Sequence, residues 1–137
     1  LKDEFGLSYL FIAHDLSVVK HISDRLGVMY LGTIVERAPK RKLFQMPLHP
    51  YTKALFSAAP TIDETSISQS QELKGEIPSP IHLPSGCLFH DRCPMARPEC
   101  AQIMPQLREV EPEHFVACHL VEPQSNPSDA DKGRDAL

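Results

Sequence analysis

Four cysteines and one histidine are the residues of this sequence that could most readily do chemistry. All the cysteines of the 137-residue chain lie in one stretch, at Cys87, Cys93, Cys100 and Cys118. Such a set can form a disulfide framework, hold a metal, or consist of small buried thiols, depending on the compartment. His14 follows an apolar run, where an imidazole can hydrogen-bond a phosphate oxygen or an attacking water.

The spacing of the cysteines is C-x5-C-x6-C-x17-C. It matches neither the paired C-x2-C of a zinc ribbon nor the C-x2-C-x2-C run of bacterial ferredoxins. Four thiolates still suffice for tetrahedral zinc or for a 4Fe–4S cluster. The long, irregular spacings favour a cluster wrapped by loops. A Pro-rich segment with few apolar residues also needs a cross-link or a bound metal to stabilise it. If the ion is zinc, further candidate ligands are His90, His114 and His119.

Short elements must position these residues. The nearly continuous apolar run Leu7–Ala13 predicts a strand buried on both faces. Asp15 is a good N-cap for a short helix over LSVVKHIS. Arg25–Leu31 and Thr33–Ala38 predict two strands that meet at a tight turn around Gly32.

Prolines mark where the pattern changes. Helices are predicted to begin at Pro39 and at Pro50, since proline is favoured in the first turn. In the second helix Tyr51, Leu55 and Phe56 have the spacing of core residues. Most of the thirteen prolines follow, so the second half of the chain should be rich in turns and poor in long helices.

Composition excludes several function classes. The formal net charge of −4 argues against a general nucleic-acid surface. No run approaches the roughly 20 apolar residues that a membrane span needs, and no signal peptide is visible. The chain opens on LKDEFGLSYLF without an initiator Met, and we therefore expect it to begin inside a longer domain.

Several strings together resemble one family. FIAHDLSVV and the following HISDRLGVMYLGTIVE resemble the end of the nucleotide-binding subunit of ABC transporters. PLHPYTKALFSAAP resembles the His-Pro-Tyr motif of the oligopeptide/dipeptide import branch, and GEIPSP and GCLFHDRCP also fit that branch. The resemblance extends from about Leu1 to about Val121.

The resemblance implies a role for His14. It would be the switch histidine, which contacts the γ-phosphate of ATP and helps to position the attacking water, in keeping with phosphoryl transfer by positioning and charge stabilisation. The phosphate-binding loop, signature loop and Walker B residues would lie upstream, and no G-x-x-x-x-G-K-S/T string occurs here. The complete subunit is therefore expected to be an ATPase that uses Mg²⁺, whereas this polypeptide alone is expected to be inactive.

The resemblance also bears on the cysteines, because a cytosolic ATPase lies in a reducing compartment that disfavours disulfides. Some members of the branch carry an iron–sulfur cluster on similar cysteines. The expected ligands are then Cys87, Cys93, Cys100 and Cys118, holding a 4Fe–4S cluster, with zinc or unmetallated thiols as the alternatives.

The expected fold is α/β, the C-terminal portion of a P-loop ABC-type nucleotide-binding domain followed by a small, loop-rich, Cys-containing extension. The expected boundaries are residues 1–60 for the ATPase part, 61–73 for a linker, 74–121 for the extension and 122–137 for a disordered tail. By the resemblance the subunit lies on the cytoplasmic face of the inner membrane. It would pair with a second ATPase subunit and two transmembrane permease subunits, and act indirectly with an extracytoplasmic peptide-binding protein.

Two alternatives remain at this level. A free-standing metal-binding regulatory module would make residues 74–121 the functional centre, and an oxidoreductase would need a C-x-x-C or cofactor loop that the sequence lacks. Related importers also carry nickel or glutathione, so a peptide substrate is implied by the resemblance and not by the residues themselves. The basic triplet Lys40-Arg41-Lys42 is interpreted as a solvated face, without an assigned function.

Overall fold

A computed structural model describes residues 2–58 and 75–124. The helices are α1 (Lys2–Phe5), α2 (Leu16–Ile22), α3 (Lys40–Gln45) and α4 (Pro50–Ala58), and the strands are β1 (Arg25–Tyr30), β2 (Thr33–Pro39), β3 (Arg108–Glu111) and β4 (His114–Val116). Two short 3-10 helices cover His90–Arg92 and Pro98–Ala101. Helices and strands are thus mixed, as predicted, and the described part after residue 75 contains no long helix.

The strands form one antiparallel sheet in the order β1-β2-β4-β3. A tight turn joins β1 to β2, and its residues Leu31 and Gly32 both have positive φ, at 48° and 78°. This backbone conformation matches the right-handed twist of a hairpin and suits glycine. The predicted hairpin around Gly32 is confirmed.

A bulge in this hairpin gives two consecutive buried residues. The register of β1 and β2 shifts between Val28 and Met29, so that Val28 pairs with Glu36 and Met29 with Ile34. Alternation along the strand is interrupted there, and both Val35 and Glu36 are buried. The bulge therefore places a carboxylate in the interior beside the apolar core.

The helices confirm the capping and packing predictions. The carboxylate of Asp15 accepts a hydrogen bond from the backbone N–H of Ser17 at 2.9 Å, at the start of α2. Helix α4 begins at Pro50 as predicted, and its Tyr51, Leu55 and Phe56 pack against the main core. That core also contains Val28, Tyr30, Val35, Ala38, Leu43, Leu88 and Phe89.

The β3–β4 hairpin joins the later part of the chain to the earlier part. Strand β4 pairs with β2, and the guanidinium of Arg37 lies 4.5 Å from the ring centroid of its cross-strand neighbour Phe115. Lys42 of α3 donates from Nζ to the carbonyl of Pro112 at 2.5 Å. Residues 25–58 and 75–124 therefore share one sheet and one main core.

The predicted strand over Leu7–Ala13 is wrong for this structure. The segment lies outside the sheet, and its side chains are exposed, with Leu10 90% and Ile12 89% accessible. A strand needs a neighbour to satisfy its backbone groups, and none of the described strands lies beside this segment. Leu7–Ala13 is apolar, as the prediction assumed, but none of the described residues buries it.

Two of the predicted boundaries lie outside what the structure describes. The linker 61–73 falls entirely within the undescribed residues 59–74, and most of the tail 122–137 falls beyond residue 124. Within the described ranges, no helix has the length and apolar character to cross a membrane.

Candidate functional site

All four cysteines line one small cavity of about 10 Å³. They are free thiols, and Cys100 and Cys118 are buried while Cys87 and Cys93 are partly buried. The structure therefore brings together residues that are spread over 32 positions of the sequence. The remaining lining residues are His49, Pro50, Phe89, His90, His119 and Leu120.

Turns and short 3-10 helices position the first three cysteines. The backbone N–H of Cys87 donates to the carbonyl of Cys100 at 2.7 Å, which joins the two loops directly. Gly86, just before, has φ +71°, and a Cβ built there would lie 2.4 Å from that same carbonyl oxygen. Only glycine allows this close approach of the two backbone segments. The backbone of Cys93 closes a 3-10 turn by donating to the carbonyl of His90 at 3.3 Å.

Cys118 comes from the end of the sheet. The N–H of Ala117 donates to the carbonyl of Val35 at 2.8 Å, extending the pairing of β4 with β2 past Val116 and up to the cysteine. Val35 lies in the bulge of β2, so the irregularity of the hairpin and the position of Cys118 are directly connected.

The thiols are in a mixed electrostatic environment. Burial raises the pKa of Cys87, Cys93 and Cys118 above their ordinary value, and mutual repulsion of the thiolates raises it further. Nearby backbone N–H groups favour the thiolate and lower the pKa in part. These groups belong to Phe89 for Cys87, Met95 for Cys93, and Leu120 and Val121 for Cys118. The N–H of Arg97 donates to Sγ of Cys100 at 3.4 Å.

The donor set suits a thiophilic metal group, because four sulfurs border one cavity and backbone donors are available to stabilise thiolates. In residues 2–58 and 75–124, no three or more His, Cys, Asp or Glu side chains already stand in an arrangement that could hold a metal ion. The cavity itself has room for about one water. The cysteines therefore share a site whose sulfurs would have to rearrange around a metal.

A buried carboxylate lies behind this site. Glu36 is fully buried, and its oxygens accept hydrogen bonds from the N–H groups of Leu48 at 2.9 Å and His49 at 3.0 Å. The Nε2 of His114, also fully buried, lies 2.6 Å from the same carboxylate. Glu36 thus links β2, β4 and the backbone that enters α4.

His49 connects this carboxylate to the cavity. Its side chain is 1% accessible and lines the cysteine cavity, and its Nδ1 accepts from the N–H of Tyr51 at 3.0 Å. Burial lowers the pKa of His49 to about 4, although the negative charge of Glu36 opposes that effect. The imidazole is therefore neutral at physiological pH.

The three suggested histidine ligands separate in the structure. His90 and His119 line the cavity, whereas His114 does not and has Glu36 as its partner. His14 lies elsewhere, exposed at the bend before α2, and does not line the cavity.

Sequence reasoning missed Glu36, and it identified His49 only as part of the His-Pro-Tyr motif. The sequence does show an acidic residue, Glu36, within a predicted strand. Such a residue is ordinarily exposed, so it did not indicate a buried carboxylate.

Comparison with known proteins shows what this chain is similar to. Residues 35–100 match the family model described as the C-terminal region of the oligopeptide/dipeptide transporter. The oligopeptide transport ATP-binding protein AppF of Bacillus subtilis is 54% identical over 122 residues, covering 88% of this chain and 37% of that protein. The oligopeptide transport ATP-binding protein OppF of Salmonella typhimurium is 54% identical over 126 residues, covering 90% of this chain and 37% of that protein.

The chain thus spans little more than a third of the length of these curated relatives. The matched residues include most of β2, the His49-Pro50-Tyr51 motif at the start of α4, and three of the four cavity cysteines. The chain therefore matches the model of the oligopeptide/dipeptide transporter C-terminal region over residues 35–100, and it is similar to part of two oligopeptide transport ATP-binding proteins.

Proposed function

We propose that this chain is the C-terminal part of an ATP-hydrolysing subunit that energises the import of oligopeptides or dipeptides across the inner membrane. The observation that carries the proposal is the 54% identity over 122 residues to a protein named as an oligopeptide transport ATP-binding protein. Because the aligned length exceeds the 64 residues of 74–137, it includes residues before the cysteines. This favours a transporter subunit over a free-standing metal-binding module.

In this proposal residues 1–60 complete the nucleotide-binding domain and residues 74–121 form the Cys-containing extension, with 61–73 as linker and 122–137 as tail. The exposed apolar side chains of Leu7–Ala13 support the first assignment, because such a run is suited to burial against further strands. The subunit would lie on the cytoplasmic face of the membrane. Its partners would be a second ATPase subunit, two permease subunits and, indirectly, an extracytoplasmic binding protein.

His14 is the residue that we assign to the chemistry. Its side chain is exposed and comes directly before Asp15, whose carboxylate caps α2 and so fixes the backbone next to the imidazole. An imidazole held there would hydrogen-bond the γ-phosphate of Mg²⁺-ATP and orient the attacking water. The residues that bind the remaining phosphates would lie upstream.

Replacing His14 by alanine in the complete subunit should lower the rate of ATP hydrolysis by about 100- to 1,000-fold, since one preorganised donor to the reacting phosphate is lost. The measurement is phosphate release by the assembled transporter. His21→Ala provides the matched control, because His21 is also exposed and lies on α2. An unimpaired rate in His14→Ala would refute the role of His14.

The 137-residue chain alone should not hydrolyse ATP, because it contains no phosphate-binding loop. Phosphate release above the level of a protein-free blank, lost in His14→Ala, would contradict this part of the proposal.

A second function rests on the cysteine cavity. We propose that Cys87, Cys93, Cys100 and Cys118 hold a 4Fe–4S cluster, supported by the convergence of all four on one cavity with backbone N–H groups beside their sulfurs. Such a group would cross-link the loops around Gly86 to the end of β4 and could accept one electron. No part of ATP hydrolysis depends on it.

Anaerobic purification of the chain, followed by iron, sulfide and zinc analysis, should give about four irons and four sulfides per chain and a visible absorption band. Cys118→Ser should lose most of this metal, whereas Met95→Leu, an exposed neighbour in the same loops, should retain it. A colourless protein with one zinc per chain would overturn the cluster in favour of zinc. A protein without metal would overturn both.

A further inference from the structure

The wall of the cysteine cavity contains a buried polar atom that forms no hydrogen bond with the described residues. The Nε2 atom of His49 is inaccessible to solvent and has no hydrogen-bond partner among the described residues. Its other ring nitrogen is engaged, because Nδ1 accepts from the N–H of Tyr51 at 3.0 Å. Buried polar groups are rarely left unpaired, so this atom calls for an acceptor that protein atoms do not supply.

The hydrogen bond at Nδ1 fixes the chemical character of Nε2. A nitrogen that accepts from an N–H must present its lone pair, so in the neutral ring the proton is on Nε2. His49 is therefore a hydrogen-bond donor at the cavity wall. The carbonyl of Ala117 is close enough to raise the pKa of His49, but Nε2 forms no hydrogen bond with a described residue.

The other histidines of the cavity are occupied. His90 is held at Nδ1 by the carbonyl of Cys87 at 2.7 Å and at Nε2 by the carboxylate of Asp91 at 2.9 Å. His119 lies with its Nε2 at 2.6 Å from the carbonyl of Ile103. Their Nε2 atoms are thus satisfied away from the sulfurs, in contrast to His49.

Contacts on two sides hold His49 in place. Its backbone N–H donates to the buried carboxylate of Glu36 at 3.0 Å, and its ring lies 5.9 Å from that of Phe89, another residue of the cavity wall. A donor held from both sides costs little to orient when an acceptor enters the cavity.

We propose that His49 donates a hydrogen bond from Nε2 to a sulfur of the metal group held by the four cysteines, and so sets the electron affinity of that group. This inference rests on the metal site proposed above. A donor to sulfur stabilises the more negative, reduced state of an iron–sulfur cluster, and hydrogen bonds to the sulfurs are among the factors that set its potential. His49 is a positioning and tuning residue, not a ligand.

The test compares reduction potentials at equal metal content. His49→Phe keeps an aromatic ring but removes the donor, and it should shift the one-electron equilibrium about tenfold towards the oxidised cluster, which corresponds to about 59 mV. His49→Gln retains an N–H donor at a similar reach and should restore most of the wild-type potential. The matched control is His90→Phe, which removes another histidine of the cavity whose nitrogens face other partners.

The outcomes separate the two proposals. Wild-type chain without metal would refute the metal site itself. Metal-loaded His49→Phe with the wild-type potential would refute the role of His49 alone, as would an equal shift in His90→Phe, since general repacking would then explain both. If His49→Phe does not fold, ¹⁵N-histidine labelling of wild type and His49→Gln decides, because pulsed EPR of the reduced cluster should lose a nitrogen coupling in His49→Gln. Retention of that coupling would overturn the proposal.

If the chain binds zinc instead, the same donor would act on a zinc thiolate. His49→Phe should then lose zinc to a chelator at least tenfold more readily than wild type, with His49→Gln close to wild type. Equal zinc retention in His49→Phe and wild type would refute the assignment.

Discussion

Replacing Glu36 by alanine should lower the free energy of unfolding by about 3–5 kcal/mol, the cost of breaking a buried ionisable cluster. The substitution removes the acceptor for the N–H groups of Leu48 and His49 and leaves the buried imidazole of His114 without its partner. The donors of His49 and His114 would remain buried and unsatisfied, and that of Leu48 would remain partly buried. Urea unfolding of the chain, followed by circular dichroism, measures the loss.

The control for Glu36→Ala is Glu113→Ala, since the carboxylate of Glu113 is 66% exposed and forms only a 3.8 Å ion pair with Arg25. That substitution should cost no more than about 1 kcal/mol. A double-mutant cycle with His114→Ala should also show strong coupling to Glu36, because the two side chains share one hydrogen bond. Equal unfolding free energies for Glu36→Ala and Glu113→Ala would contradict the role given to Glu36.

Gly86→Ala should lower the free energy of unfolding by about 2–5 kcal/mol, combining backbone strain with overpacking. At φ +71° an added Cβ would lie 2.4 Å from the carbonyl oxygen of Cys100, 2.7 Å from the carbonyl carbon of Ala101 and 2.9 Å from the nitrogen of Gln102. All three are backbone atoms, which cannot move aside by a change of rotamer. The loop of Cys87 would therefore have to separate from that of Cys100.

Gly32→Ala is the matched control for this effect. Gly32 also has positive φ, at +78°, but no atom lies within 4 Å of a built Cβ. Alanine there should cost only the left-handed backbone conformation, about 1–2 kcal/mol. If chemical unfolding ranks the two variants equally, the contact between the cysteine loops does not depend on Gly86.

Local signals predicted much of the framework. The carboxylate of Asp15, the glycine of the β1–β2 turn and Pro50 act on neighbouring residues, so their effects can be inferred from a short window of sequence. The four cysteines stood out for a similar reason, because their number and proximity along the chain favoured a shared site. The contacts between their loops, however, depend on a close backbone approach that spacing does not reveal.

Tertiary partners account for what sequence reasoning missed. Glu36 looks like a solvent-facing residue of a strand until a bulge turns it inward and a histidine 78 positions later meets it. His49 stood out only as part of the His-Pro-Tyr motif, because its place in the cavity wall depends on cysteines that are distant in sequence. For Leu7–Ala13, hydrophobicity identified a surface suited to burial but could not identify what would cover it.

The shared sheet also sets an order of events during synthesis. The β1–β2 hairpin is local and can form as soon as it leaves the ribosome, but β4 reaches β2 only after a long intervening segment, as the 78-residue separation of Glu36 and His114 indicates. During that interval one edge of β2 is unpaired, and the carboxylate of Glu36 lacks its partner His114. Unpaired strand edges are sites through which incomplete chains aggregate. The charge of Glu36 would then discourage wrong pairing until His114 arrives, so one residue would protect the nascent chain first and stabilise the finished fold afterwards.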